Sequence, residues 1–218
     1  MSLMPEKPPL AILIAVTAVG PLTINIFLPS MPGLVADLDT TYAMVQLTLS
    51  LYLAGLAIAQ LVYGPLSDRF GRRRPMLVGL GIFLVGSVVC ATAPTIGVLI
   101  GGRVLQAVGG CAGVVLGRAM VRDMFDRERS ASMIAYITMA MVVAPMLAPT
   151  IGGTLDEWVG WRYSFVFVLV FGALVMLGCL FVLAETHGPE RRKAVAEAHI
   201  SILGLLKIPA FYGYTLQL

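Results

Sequence analysis

The 218-residue chain is 58% hydrophobic and 12% charged, with a formal net charge of +3, whereas an average soluble domain is about 45–50% apolar and about 25% charged. A water-soluble fold cannot hide that much apolar surface, and the charges sit in clusters between long uncharged stretches. The basic surplus collects in those short clusters, a mark of membrane topology, so no nucleic-acid partner is expected.

In chain order, the charge-poor stretches are about 9–30, 42–66, 75–93, 95–121, 131–155 and 163–184, each near the roughly 20 residues that cross a hydrocarbon core of about 30 Å. They predict an all-α membrane protein whose six transmembrane helices form one bundle in the lipid bilayer over residues 1–186. The first stretch is too long for a secretory h-region, follows a nearly neutral leader with Glu6 and Lys7, and lacks a small-residue cleavage site, so it is read as a retained helix. Links at about 31–41 and 156–162 face outward and carry Asp37, Asp39, Asp156 and Glu157. Those at 67–74 and 122–130 face inward and hold most of the arginines, while Thr92 to Thr95 leave room only for a tight turn. Short loops rich in Lys and Arg stay in the cytoplasm, which puts both termini there. Beyond the last stretch, 187–208 reads as a cytoplasmic linker and 209–218 as the start of a seventh membrane segment. That ending suggests truncation of a longer protein, with a re-entrant or interfacial tail as the alternative.

Cys90, Cys111 and Cys179 fall inside predicted spans without ligand spacing, and His187 and His199 are isolated from them and from each other, so no metal and no cofactor is expected. Neither a catalytic dyad nor a phosphate-binding loop appears, which argues against an enzyme. The fourth span carries Gly109, Gly110, Gly113 and Gly117. Small residues at such spacing let helix backbones approach in lipid, so this helix should be central and tightly packed.

Four segments carry more than packing. Between the second and third spans runs Gly64-Pro65-Leu66-Ser67-Asp68-Arg69-Phe70-Gly71-Arg72-Arg73-Arg74-Pro75-Met76-Leu77. Gly64 would permit close helix contact, Gly71 a backbone turn, and Asp68 would lie near the N-terminal end of the third helix, where the helix dipole favours a carboxylate. Arg69 and Arg72 are close enough in sequence to pair with it. A merely topogenic basic loop would explain the arginines but not the glycines and the aspartate. The fourth span holds Arg103 and Gln106; a charge inside a span costs at least about 2.5–3.5 kcal/mol at the helix centre and normally faces a polar interior, the alternative being snorkelling to the outer interface. In the fifth span, Pro145 and Pro149 each remove a helix hydrogen bond and make a pliable point, just before Gly152 and Gly153. The first span ends in Asn25-Ile26-Phe27-Leu28-Pro29-Ser30-Met31-Pro32.

The loop at Gly64 to Leu77 resembles the signature loop of the major facilitator superfamily, and the likeness runs from about Gly20 to Thr186. Arg103 to Gly110 is similar to the family's fourth-helix pattern, with Ala107 at a glycine position; Ala148 to Gly153 is similar to its antiporter motif, with Ala148 at the first glycine; Asn25 to Pro32 is similar to the bicyclomycin and chloramphenicol resistance branch, with Asn25 at the usual acidic position. The resemblance implies one half, two inverted three-helix repeats, of a twelve-helix transporter that exports drugs or small hydrophobic metabolites by proton antiport in a bacterial inner membrane. It implies a latch at Gly64, Asp68, Arg69, Gly71 and Arg72, proton coupling or a polar network at Arg103 and Gln106, and an antiporter-type helix at Pro145, Pro149, Gly152 and Gly153. A substrate cavity would use Asn25, Tyr52, Gln60, Arg103, Gln106 and Met141. Its partners would be a small-molecule substrate, protons, and a missing C-terminal half or a second copy.

No predicted span has an Asp or Glu in its interior. The proton carrier is then in the missing half, or is Asp68 or another acid near a span end, or the coupling differs from that of the relatives. Solute uptake and, for a naturally complete chain, a half-length scaffold or regulatory subunit remain as other functions.

Overall fold

The structure, a computed structural model, describes residues 10–186; the predicted linker and seventh segment, with His187 and His199, lie outside the described residues. Helix α1 (Leu10–Ile26) runs through a 3-10 turn (Leu28–Ser30) into α2 (Met31–Asp37), followed by α3 (Tyr42–Phe70), α4 (Arg73–Ala91), α5 (Ile96–Met124), α6 (Arg127–Val159) and α7 (Arg162–Val182). Counting α1 through α2 as one, six helices among the described residues are long and apolar enough to cross a membrane, as the hydropathy pattern predicts. The ends of the bundle differ in charge. One holds Arg69, Arg72, Arg73, Arg74, Arg122, Arg127 and Arg129 (the basic end), the other Asp37, Asp39, Asp156 and Glu157 (the acidic end).

The Thr92–Thr95 turn is as short as predicted, and the other links are shorter than predicted, because charge marks where a helix leaves the hydrocarbon and does not itself stop the helix. Residues 31–37 are helical, since Met31 and Leu34 are buried beneath that turn. In the 67–74 link α3 continues to Phe70, and in the 122–130 link α5 reaches Met124 before α6 resumes at Arg127. The boundaries have local causes: Thr41, Thr95 and Asp126 accept from the backbone N–H of Met44, Val98 and Arg129, the usual capping geometry. Gly71 and Gly160, at φ 88° and 95°, end α3 and α6 in a conformation open to glycine.

Helix α5 is the axis of the bundle, with more than half of its residues buried against α4, α3 and α1. Glycines set those approaches. A Cβ at Gly86 would lie 2.6 Å from the Gln106 nitrogen, and one at Gly109 would strike the Phe83 backbone and the Gly79 carbonyl. Gly113, four residues on, instead meets the carbonyl of Val16 on α1. The Gly109–Gly113 pair therefore serves two neighbours, one on each side of α5. Gly64 does not belong with these. A Cβ there would meet nothing within 4 Å, so among the described residues it makes no close helix contact, contrary to the expectation.

Candidate functional site

Arg103 lies seven residues into α5, about 10 Å from that helix's acidic-end terminus at 1.5 Å per residue. It is 0% exposed, so it does not snorkel. Its Nη1 donates to the Thr23 carbonyl at 3.0 Å and to Gln106 Oε1 at 3.2 Å. Thr23 lies in the last turn of α1, where carbonyls lack intrahelical partners and the helix dipole is negative; the guanidinium caps that end. Its carbon also sits 4.3 Å over the Phe27 ring, 4.4 Å over Tyr52 and 5.9 Å from Phe165, within reach of cation–π attraction. Nε and Nη2 have no hydrogen-bond partner among the described residues.

From Arg103 the polar chain runs on into α4. Gln106 Nε2 donates to Ser87 Oγ at 2.9 Å, Ser87 Oγ donates to the Phe83 carbonyl at 2.8 Å, and Cys90 Sγ approaches Gln106 Oε1 at 3.6 Å. Tyr52, also buried, donates to the Gly20 carbonyl at 3.4 Å. Carbonyls, an amide, a hydroxyl and ring faces thus surround one positive charge. Among the described residues no carboxylate is buried.

A second cluster stands at the basic end. Arg72 Nη1 is 2.7 Å from Asp68 Oδ1 and also donates to Ser67 Oγ, while its Nε is 3.0 Å from Asp123 Oδ2 at the end of α5. One arginine therefore joins α3 to α5. Among the described residues Arg69 does not share in the pairing, contrary to the expectation: it lies over the Phe70 ring, 5.4 Å from its centre. Asp68 is likewise displaced from its expected role, since α3 runs past it and places it in that helix's last turn. The acid at the N-terminus of α4 is Glu185, which follows α7 and accepts from the backbone N–H of Arg72 at 2.8 Å and of Arg73 at 3.3 Å. Arg73 Nη2 answers by donating to the Leu180 carbonyl near the end of α7, at 2.8 Å.

The two prolines expected in the fifth span lie inside α6, and the turn after Pro149 brings Gly152 against the Ile26 carbonyl, where α1 ends. A side chain at Gly152 would push the two helices apart. Gly153 faces the Pro29 ring, 3.7 Å from its Cβ position. The antiporter-like segment and the end of α1 are therefore one junction, and Thr23, which Arg103 caps, lies a turn below it.

The residues expected to line a substrate cavity do not converge on one space. Tyr52, Arg103 and Gln106 belong to the buried network, and Asn25 donates back to the Pro21 carbonyl of its own helix at 2.8 Å. Gln60 is exposed and borders a recess at the basic end with Gly64, Ser67, Asp68, Arg72 and Arg118. Met141 accepts from Arg118 Nη2 at 3.2 Å. Sequence reasoning placed Asp123 among the acids near a span end without assigning it to this cluster, and it missed Glu185, Ser87 and the rings of Phe27 and Phe165. For the acids one signal was available: each ends a long apolar stretch facing the arginine-rich loop.

A family model for the Major Facilitator Superfamily matches residues 13–216. Among curated relatives, an uncharacterized MFS-type transporter, YdgK of Bacillus subtilis, is 37% identical over 97% of this chain and 54% of its own length. Multidrug resistance protein D of Escherichia coli is 35% identical over 82% of this chain and 45% of its own. A bicyclomycin resistance protein homolog of Haemophilus influenzae is 32% identical over 79% and 43%. The chain thus spans about half the length of the curated relatives it matches. Two solved structures share its fold: a peptide transporter, POT, in complex with sulfate (TM-score 0.73, 19% identity, 92% of this chain and 46% of that one) and the human organic anion transporter MFSD10 (TM-score 0.71, 22% identity, 94% and 55%). The motif loop, the buried arginine and six apolar helices arranged as in these transporters agree with the family match: the chain belongs to the Major Facilitator Superfamily.

Proposed function

We propose that the chain forms one half of a bacterial inner-membrane exporter of drugs or small hydrophobic metabolites, working by proton antiport and alternating access, with its basic end in the cytoplasm. The observation that carries this reading is that both polar devices ride on α5. Arg103 sits near one end and Asp123 in the last turn at the other, 20 residues apart along an unbroken helix, which is about 30 Å. A rigid axis with a buried charge at one end and a breakable ion-pair cluster at the other suits a bundle that rocks as a body around a midplane site.

On this reading the second bundle, from further chain or from a second copy, closes over the recess at Gln60, Gly64 and Asp68 when the cytoplasmic side is shut. Asn25 and Met141 offer the substrate an amide and a soft thioether, while Tyr52 stays packed under Arg103. Arg103, buried in this state, keeps Nε and Nη2 for an acceptor that reaches it from substrate or the facing bundle when the bundle opens, and Pro145 and Pro149 give α6 its pliable points beside Gly152 and Gly153. The names of the multidrug and bicyclomycin resistance relatives favour export. Inverted vesicles holding the full transporter and energised by respiration should release protons when chloramphenicol, bicyclomycin or a cationic dye is added. Vesicles that contain the protein yet show no release across that panel would refute drug/proton exchange.

A further inference from the structure

On the side of the α3–α4 turn away from Asp68 lies an apolar groove of about 470 Å³. One wall is a stripe of α3 residues four apart, Ile58, Val62, Leu66 and Phe70; the other is the matching stripe of α4, Val78 and Ile82, and the α4 stripe begins with Arg74. Residues at this spacing stack on one helix face, so each wall is continuous from the basic end toward the middle of the span. From Arg74 to Ile82 is eight residues, about 12 Å along the helix, and from Phe70 to Ile58 is twelve, about 18 Å. Those are lengths along which an acyl chain can lie.

The mouth of the groove is cationic. Arg74 is exposed and makes no hydrogen bond or ion pair among the described residues, and Arg69 lies over Phe70 at the same rim. The neighbouring carboxylate, Asp68, is turned into the recess on the other side and held by Arg72. A carbon-lined cleft between two helices apolar enough to span a membrane, with an unpaired guanidinium at its basic-end rim, is complementary to a phospholipid with an anionic head. We propose that the α3–α4 groove holds one acyl chain of an anionic phospholipid from the leaflet at the basic end, with its phosphate on Arg74. The ion-pair cluster at Asp68 takes no part in this contact.

The test places a tryptophan in the groove with Val78→Trp, at a position 61% exposed, in the full chain reconstituted in phosphatidylcholine vesicles. Brominated phosphatidylglycerol or brominated phosphatidylcholine is then added at equal mole fraction. Trp158 and Trp161 lie at the acidic end, and the parent protein supplies their background. Quenching of the new tryptophan should show about a fivefold preference for phosphatidylglycerol, the equivalent of the ~1 kcal/mol that a basic side chain near the surface contributes. Arg74→Gln in that background should bring the two lipids to parity, and Arg74→Lys should keep the preference. Should Val78→Trp fail to insert, Ile58→Trp on the facing wall gives the same readout. Parity before Arg74 is changed, a preference that survives Arg74→Gln, or no quenching by either lipid would overturn the proposal; the last would mean that protein covers the groove.

Discussion

Replacing Arg103 by methionine should leave the bundle nearly as stable as before, while replacing it by lysine should weaken it. The methionine removes hydrogen bonds to the Thr23 carbonyl and to Gln106, each about 1.5–3 kcal/mol for a charged donor. Two ring contacts at 4.3 and 4.4 Å also go, together about 2 kcal/mol when desolvated. Against that stand the several kcal/mol that an ion loses on leaving water and about 1–3 kcal/mol for each of the two nitrogens without a partner. The opposing sums agree to within a few kcal/mol, and an apolar side chain of similar length fills the site. Lysine keeps the whole desolvation cost but presents a point charge that cannot lie flat over both rings, so it should fall below methionine by about 1–3 kcal/mol. Cys90, Cys111 and Cys179 are free and buried, so a thiol-reactive fluorophore reports their exposure as the detergent-solubilised protein is heated. A methionine variant far less stable than the lysine variant would show that the charge itself holds the bundle together and that Arg103 serves stability, not transport. In transport assays both variants should be inactive.

Asp68→Asn should abolish efflux from cells carrying the full transporter yet leave membrane insertion unchanged, since a pair whose acid is 39% exposed contributes at most about 1 kcal/mol to stability; normal efflux by this variant would remove Asp68 from the latch. Gly109→Ala should lower the thiol-labelling midpoint, because its Cβ collides with backbone atoms of Phe83 and Gly79 and overpacking of this kind costs about 1–3 kcal/mol. Gly64→Ala, measured alongside, should raise the midpoint slightly, as open space surrounds it and alanine favours a helix interior by about 0.5–1 kcal/mol. Glu185→Gln should lower the midpoint by the roughly 0.3–2 kcal/mol attributed to a charge at a helix terminus, whereas Asp68→Asn should not; equal losses would mean that the two acids share the N-terminus of α4.

Hydropathy and charge spacing were enough to read the spans, because lipid demands an uninterrupted apolar helix and tolerates charge only at its ends. The ends themselves were misjudged for the same reason. Asp37, Arg69 and Arg122 mark the water boundary, but helices with good caps continue through it, to Phe70 and Met124. The sequence also pointed to Arg103 as an interior charge, though not to what answers it: Thr23 lies 80 residues away, and a helix-end carbonyl leaves no signature in composition. Glu185 was missed because proximity in sequence favoured Asp68, whereas the acid that reaches α4 comes from 112 to 113 residues further on. The glycine pattern of α5 was legible as close packing but not as to partner, since the difference between Gly109 facing α4 and Gly113 facing α1 is a rotation about the helix.

The absence of a buried carboxylate among the described residues narrows how a proton could act on this bundle. A guanidinium holds its charge through any physiological cycle, so Arg103 would serve as a fixed countercharge and not as a carrier. Its two occupied bonds tie α5 to the end of α1 and to Gln106, whereas its buried Nε and Nη2, without a partner among the described residues, could be engaged once the bundle opens without first breaking the cap on Thr23. A carboxylate brought to those groups would be held while ionised and released on protonation, and the strain of either state would fall on the α1 terminus that presses on Gly152. Removing that contact point's tolerance, by Gly152→Ala, should therefore uncouple the two events. The α1–α6 junction would be forced apart in every state, and substrate binding to the full transporter, measured by tryptophan fluorescence, should lose its pH dependence while binding itself persists. Retention of the pH dependence in a folded Gly152→Ala variant would place the coupling elsewhere than the Arg103 end of α5.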